Sequence, residues 1–430
     1  MKQILFLINN LSNIETHYEM LSLAGIANEC GYDSKIEQFN NKDLISIITG
    51  LNPCYLFANI NIEEFSTSIK KLAQIKTKFP TIKIIVRGIP FMSYNTNAIY
   101  ENPFIDYIIT SEPEYALKDI LNNIPDEEIL GLCYSANMQG IQNENRNLIE
   151  NLDELPLPNH NLNVSNIELI QVSKGCPIYD FCELKSVIEG NKIRYRSISS
   201  VINEIKESKK KDFYFLGEVF SLDNNWVKEF CLNIITNKIK INWTITLRPN
   251  QTNEEIIKLM KKAGCKAFDV NFQSSNPDTL KSLDCGYNLE DIIKIIKLSN
   301  KYKIKINPTM YIGLPSDNKD ILKQNIDFIN KYKLKNIKYI YPKPIPGTKF
   351  FAYAMINKLV DPPLSFEIDD NKPYARTHEL SKSDLEMIYK QINNKKLYLR
   401  KIFTQLLQKV FSFFLQGRLT LANLKNLRLR

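Results

Sequence analysis

No apolar run in this 430-residue chain approaches the roughly 18 uninterrupted residues that a bilayer-spanning helix needs, which excludes a membrane-spanning chain. Low-complexity tracts and internal repeats are absent as well, and with 44% hydrophobic residues the expectation is folded domains rather than disorder. The first ten residues, "MKQILFLINN", hold only a short apolar run before two asparagines, so they predict a first β-strand and not a signal peptide. Eight cysteines are scattered along the chain without a disulfide-like framework, so reduced thiols and a cytoplasmic location are expected. Acidic residues stop at Glu386, while ten Lys and Arg follow it between Lys390 and Arg430. The net charge of +9 therefore sits in the tail and the rest is close to neutral, so a nucleic-acid partner is not expected.

What is present is alternation. Residues 1–130 run through "QILFLI", a helical pattern over Tyr18 to Cys30, "DSKIEQF", "CYLFANI", an amphipathic Phe65 to Phe79, "IKIIVRG", "IDYIIT" and Glu112 to Leu121. That βαβα order predicts a doubly wound, Rossmann-like parallel sheet of about five strands. The polar "NMQGIQNENRN" and the proline-bearing "NLDELPLPNHNL" continue neither period and are expected as a linker over 131–165. From "ELIQVSKG" to "IKYIYPKP" six further βα units follow, which predicts a partial (β/α)6 TIM-type barrel over 166–350 with its chemistry at the C-terminal strand ends. Residues 351–430 are expected as a helical C-terminal region, whose last part carries Ile402, Phe403, Leu406, Leu407, Val410 and Phe411 on one apolar stripe.

The stretch "KGCPIYDFCEL" sets Cys176 and Cys182 in one tight loop, with Gly175 and Pro177 around the first thiol and Phe181 before the second. Asp180 is the carboxylate inside the loop. Around it, "IDYIITSEPEYALKDIL", "LDELPLP", "KIRYRSISSVINEI", "FYFLGEVFSLDNNWVKEFC", "INWTITLRPN", "NFQSSNPDTLKSLD", "MYIGLP" and "PKPIPGT" occur in that order. Taken together they resemble radical S-adenosylmethionine (SAM) proteins with an N-terminal cobalamin-binding domain, over nearly the whole chain.

The resemblance implies three cofactors. A [4Fe-4S] cluster would be held by Cys176 and Cys182, with Asp180 where the family's middle cysteine is missing and the loop is one residue short; Cys285 is a distant alternative. SAM would meet Gly217 and Glu218 through its amino group, and Arg248 would face its carboxylate or a substrate anion, unless Glu218 and Arg248 form a barrel-mouth salt bridge. Gln273, followed by Ser274, stands where the family has a glutamate for the ribose, Cys285 stands where it often has lysine, and Gly313 and Pro315 would pack on adenine. Cobalamin would lie over Asn9 to Asn13, Ala58 to Asn61, Gly88 to Pro90 and Ser111 to Glu114, with Gly88, Ser111 and Glu112 among its contacts. The family's "GGP" reads "GIP" here and its "GEGE" reads "SEPE"; of His17, His160 and His378 none stands in a D-x-H-x-x-G string.

Two functions follow from these residues. One is a radical SAM enzyme transferring methyl, or rearranging carbon, on a small-molecule or lipid-like substrate. The other is a non-catalytic relative that keeps the scaffold to bind a corrinoid, a nucleoside or a protein partner. The basic tail is either a helix packed on the barrel or an interfacial helix on anionic lipid. Liposome flotation of the chain with and without the residues after Lys395 decides between them: loss of flotation on truncation assigns the tail to lipid, and equal flotation assigns it to packing.

Overall fold

The computed structural model describes residues 2–11, 13–93, 95–136, 139–177, 189–217, 222–251, 253–361 and 372–393. Residues 394–430, and with them the basic tail, lie outside the described residues, as do Asp180, Cys182 and Glu218. No described helix is long and apolar enough to cross a membrane.

The N-terminal sheet has the order β2-β1-β3-β4-β5-β6-β7. Its parallel part is β1 (Lys2–Ile8), β2 (Tyr32–Gln38), β3 (Tyr55–Asn59), β4 (Lys83–Arg87) and β5 (Tyr107–Ile109). Strand β1 is buried on both faces because its alternate side chains feed two cores. Ile4, Phe6 and Ile8 meet residues of the helices Ile14–Glu29 and Pro113–Leu121, while Leu5 and Leu7 meet those of Leu44–Leu51 and Phe65–Lys78. The sheet continues past residue 130, which corrects the expected linker boundary. β6 (Leu132–Ala136) and β7 (Gln139–Gln142) add antiparallel strands, and β7 is an edge strand whose polar residues show no buried stripe.

The second sheet is the expected open barrel of six parallel strands. β8 (Ile167–Gln171) is followed by a short antiparallel ribbon of β9 (Ser173–Lys174) and β10 (Arg194–Tyr195), then by β11 (Asp212–Leu216), β12 (Asn242–Thr246), β13 (Cys265–Gln273), β14 (Lys305–Tyr311) and β15 (Lys338–Ile340). The sheet order 15-14-13-12-11-8 follows the chain, as right-handed βα crossovers dictate. Its helices start on side-chain caps drawn from an asparagine-rich sequence. Asn253, Asn276, Asn288 and Asn318 each accept a hydrogen bond from a backbone N–H of the first turn, and Asn288 forms a capping box with Asp291.

The helix Ile14–Glu29 joins the two domains. Tyr18 packs on Leu169 and Leu216, and a Cβ at Gly25 would run into the carbonyl of Leu157, so only glycine lets the "LPLP" segment lie against this helix. The Asn159 N–H then donates to Leu21 O at 2.8 Å. A second junction is ionic and buried. Glu112 takes both amino groups of Arg194 at 2.9 and 3.0 Å and accepts the Ile149 N–H at 2.8 Å, while Lys174 pairs with Glu114. Burial opposes charge on Glu112, yet Lys174, Arg194 and the Ile149 N–H hold its carboxyl below the usual range.

The linker is fastened by His160, whose Nδ1 lies 3.1 Å from Glu168 and whose Nε2 lies 2.7 Å from Glu204. Burial works against the imidazolium, but the two carboxylates outweigh it and raise His160 to about 9. A raised histidine contributes stability that is complete below its unfolded value near 6.5 and disappears as pH rises through about 9. Denaturant titrations from about pH 6 to about pH 10 are expected to show an alkaline loss on the order of 2–3 kcal/mol that His160→Gln lacks. Glu112→Ala leaves the buried Arg194 without its carboxylate and is expected to cost about 3–5 kcal/mol. Lys192→Ala, which breaks the exposed Lys192–Glu150 pair, is expected to cost less than about 1 kcal/mol in the same titration.

Candidate functional site

The C-terminal ends of both sheets open onto one cavity of about 710 Å³ between the domains. On the N-terminal side it lies at the point where the strand order reverses between β1 and β3, the usual ligand crevice of a doubly wound sheet. Asn13, Asn59, Asn61, Gly88, Glu112 and Glu114 line that side. On the barrel side the lining includes Cys176, Leu216, Arg248, Asn271, Gln273 and Tyr287, contributed by successive strand ends.

The N-terminal wall is a set of mutually paired polar groups. Arg87, at the end of β4, is paired with Glu19 of the helix Ile14–Glu29, and Glu19 also accepts from Asn59 Nδ2 at 2.7 Å. The backbone conformation at Gly88, φ +134°, serves the fold: a Cβ there would meet the carbonyl of Ile60. Ser111 is not among the lining residues; its carbonyl accepts from Arg87 Nε at 3.4 Å. Glu112 reaches the cavity and also clamps the domains through Arg194.

The cysteine loop leaves from that clamp. Lys174 is held by Glu114, the Gly175 N–H donates to Glu189 Oε2 at 2.9 Å, and the Cys176 N–H donates to Gly190 O at 3.0 Å. Cys176 is buried against the cavity. It is the one member of the expected ligand set that is described, since Asp180 and Cys182 lie outside the described residues. Among the described residues no three His, Cys, Asp or Glu side chains gather as a metal site. Cys285 is turned to Gln273, with its thiol against Oε1.

The remaining expected residues divide between wall and support. Gln273 lies in the wall with φ +58°, at a register shift between β13 and β14 that re-aims its side chain. Arg248 lies in the wall as well; it donates to Cys285 O at 2.5 Å and its guanidinium sits 5.6 Å from the Tyr287 ring centre. Gly217, Ser274, Gly313 and Pro315 are not among the lining residues. Ser274 donates to Asn325 at 3.2 Å behind the wall, and Pro315 O accepts from the His378 N–H at 3.1 Å. A Cβ on Gly217 would collide with Ser173 Oγ. The Gly313 turn is tied by Asp317, whose Oδ2 accepts the N–H groups of Gly313 and Leu314 at 2.8 and 3.0 Å. Burial pushes the Asp317 carboxyl up to about 7 against those two donors.

Sequence reasoning missed the contribution of the first helix. Glu15, Tyr18, Glu19 and Ser22 all line the cavity, and their three- and four-residue spacing is the signal that could have marked one helix face. It also missed Lys174, Glu189 and Tyr389, which stand next to motifs or beyond them.

Comparison with known proteins agrees with this layout. Residues 170–329 match the model of the Radical SAM superfamily. An uncharacterised methyltransferase of Pyrococcus horikoshii is 27% identical over 294 residues, 64% of this chain and 64% of that protein. The bacteriochlorophyllide d C-12(1)-methyltransferase of Chlorobaculum tepidum is 27% identical over 201 residues, 45% of this chain and 43% of that protein. Each of these matches spans less than two thirds of the relative's length. Among solved structures, the cobalamin-dependent SAM radical enzyme OxsB, with aqua-cobalamin and S-adenosylmethionine bound, has a TM-score of 0.73 at 15% identity, covering 97% of this chain and 71% of that one. The radical SAM methyltransferase TsrM of Kitasatospora setae, with tryptophan substrate and a SAM analogue bound, has a TM-score of 0.64 at 14% identity, covering 79% of this chain and 73% of that one. Residues 170–329 are thus a Radical SAM superfamily domain, and they follow an N-terminal domain with the fold found in the cobalamin-dependent enzymes.

Proposed function

We propose that this chain is a cobalamin-type radical SAM enzyme that transfers methyl to, or rearranges carbon in, a small-molecule or lipid-like substrate held between its two domains. The observation that carries this reading is the single cavity on which the strand ends of both sheets converge. Its methyltransferase relatives and the cofactors bound by OxsB support it. Bound there, cluster, SAM and cobalamin would supply radical and methyl-transfer chemistry that side chains cannot.

The residues fit these groups unequally. A nucleoside fits the barrel side, where Gln273 offers an amide and Arg248 a guanidinium at the ends of β13 and β12. The N-terminal side offers Asn13, Asn59 and Asn61. Such hydrogen-bonding side chains suit the amide fringe of a corrinoid, and no histidine lines the cavity to ligate its metal. For the cluster the described residues supply one thiolate, Cys176, so no step is assigned through it.

The loop from Cys176 to Cys182 has no middle cysteine, and that motivates a second reading, in which the same cavity binds a corrinoid or nucleoside without radical chemistry. Anaerobic reconstitution with iron and sulfide separates the two. The enzyme reading expects about four irons per chain and a low-temperature EPR spectrum that changes on adding SAM, both lost in the Cys176→Ala, Cys182→Ala protein. Iron at the level of that control would leave the binding-protein reading.

A further inference from the structure

Two exchanges that look independent in the sequence meet in space. Gln273 stands where the resembling proteins have a glutamate, and Cys285 stands where they often have lysine. Twelve positions apart, the Cys285 thiol lies against Gln273 Oε1, and both residues are buried, at 1% and 4% exposure. Both side chains are neutral, so the contact buries no charge.

The geometry gives the thiol a specific task. A glutamine side chain has an acceptor end and a donor end, and a half-turn about its last bond swaps them. Gln273 is the residue at which β13 leaves regular pairing, in the left-handed backbone region that non-glycine residues seldom occupy. Its side chain is part of the cavity wall. The segment carrying the thiol is fixed at three consecutive residues. Arg248 donates to Cys285 O at 2.5 Å, Asn250 Nδ2 donates to Gly286 O at 2.5 Å, and the Tyr287 hydroxyl donates to Asn271 O at 2.8 Å. These bonds tie the segment that carries the thiol to the ends of the strands that frame Gln273.

We propose that Cys285 is a positioning residue for Gln273: it occupies the amide oxygen, so that the cavity is offered N–H donors and selects a ligand oxygen that accepts, such as a nucleoside hydroxyl. This rests on the nucleoside-binding reading of the cavity given above. A carboxylate at this position could only accept, so the exchange reverses the direction of the hydrogen bond presented to the ligand.

The test uses the full chain and S-adenosylhomocysteine, a stable probe, in calorimetric titrations of wild type, Cys285→Ser and Cys285→Ala, beside their melting temperatures. Serine keeps a donor and is expected to stay within about threefold of wild type, whereas alanine frees the amide and is expected to weaken binding roughly tenfold, as loss of one hydrogen bond does. Alanine that binds like wild type, or that only lowers the melting temperature, overturns the proposal. A wild type that binds no S-adenosylhomocysteine removes the nucleoside reading, and a second measurement then judges the thiol. In protein labelled with [15N]glutamine, the Gln273 side-chain amide, identified by its loss in Gln273→Ala, should give two slowly exchanging proton signals in wild type and Cys285→Ser. Those signals should broaden in Cys285→Ala, and unchanged signals would refute the positioning role.

Discussion

The structure depends on two carboxylates buried between its domains. Glu112 and Glu114 belong to the last βα unit of the N-terminal sheet, while their partners Arg194 and Lys174 belong to the ribbon that carries Cys176. A buried ion pair adds little net stability, because desolvation offsets most of the attraction. It does penalise every arrangement in which one partner is left alone, and that fixes registry. Here the registry is between an N-terminal crevice and the base of the cysteine loop, so the position of one follows the position of the other.

The cavity wall is built on the same principle. Arg87 is paired with Glu19, Gln273 with Cys285, and Arg248 with the Cys285 carbonyl. Groups whose bonds are already made do not reorganise when a ligand enters, which is the condition for selectivity in a low-dielectric site. Glu19 and Tyr18 bring the first helix into this arrangement, and the same helix packs against β8 through Tyr18 and Leu169. One element therefore shapes the ligand site and joins the domains.

Much of this was legible in the residues. The six barrel strands and their order follow from alternating apolar runs and helical periods, and the N-terminal sheet from the same pattern. β6 and β7 were hidden because "QGIQ" pairs at a sheet edge, where half-exposed polar residues leave no period to detect. The clamp made by Glu112 was hidden for a different reason: a motif gives a position along the chain, but not the partner that folding sets opposite it, and Arg194 is 82 residues away. The Gln273–Cys285 pair was hidden in the same way. Only the chain's return from β13 through the Cys285 turn brings the two side chains together.

The six-strand sheet does not close on itself: β8 pairs only with β11, and β15 only with β14, among the described residues. One free edge, β8, is covered by the first helix, but the other is three residues long and bonded to a single neighbour. Changes at β15 disturb one short ladder and leave the clamp, the cysteine loop and the Gln273 wall in place. Lys338, Tyr339 and Ile340 of that short strand also line the cavity, so substitutions there reshape the pocket without touching the Glu112–Arg194 pair.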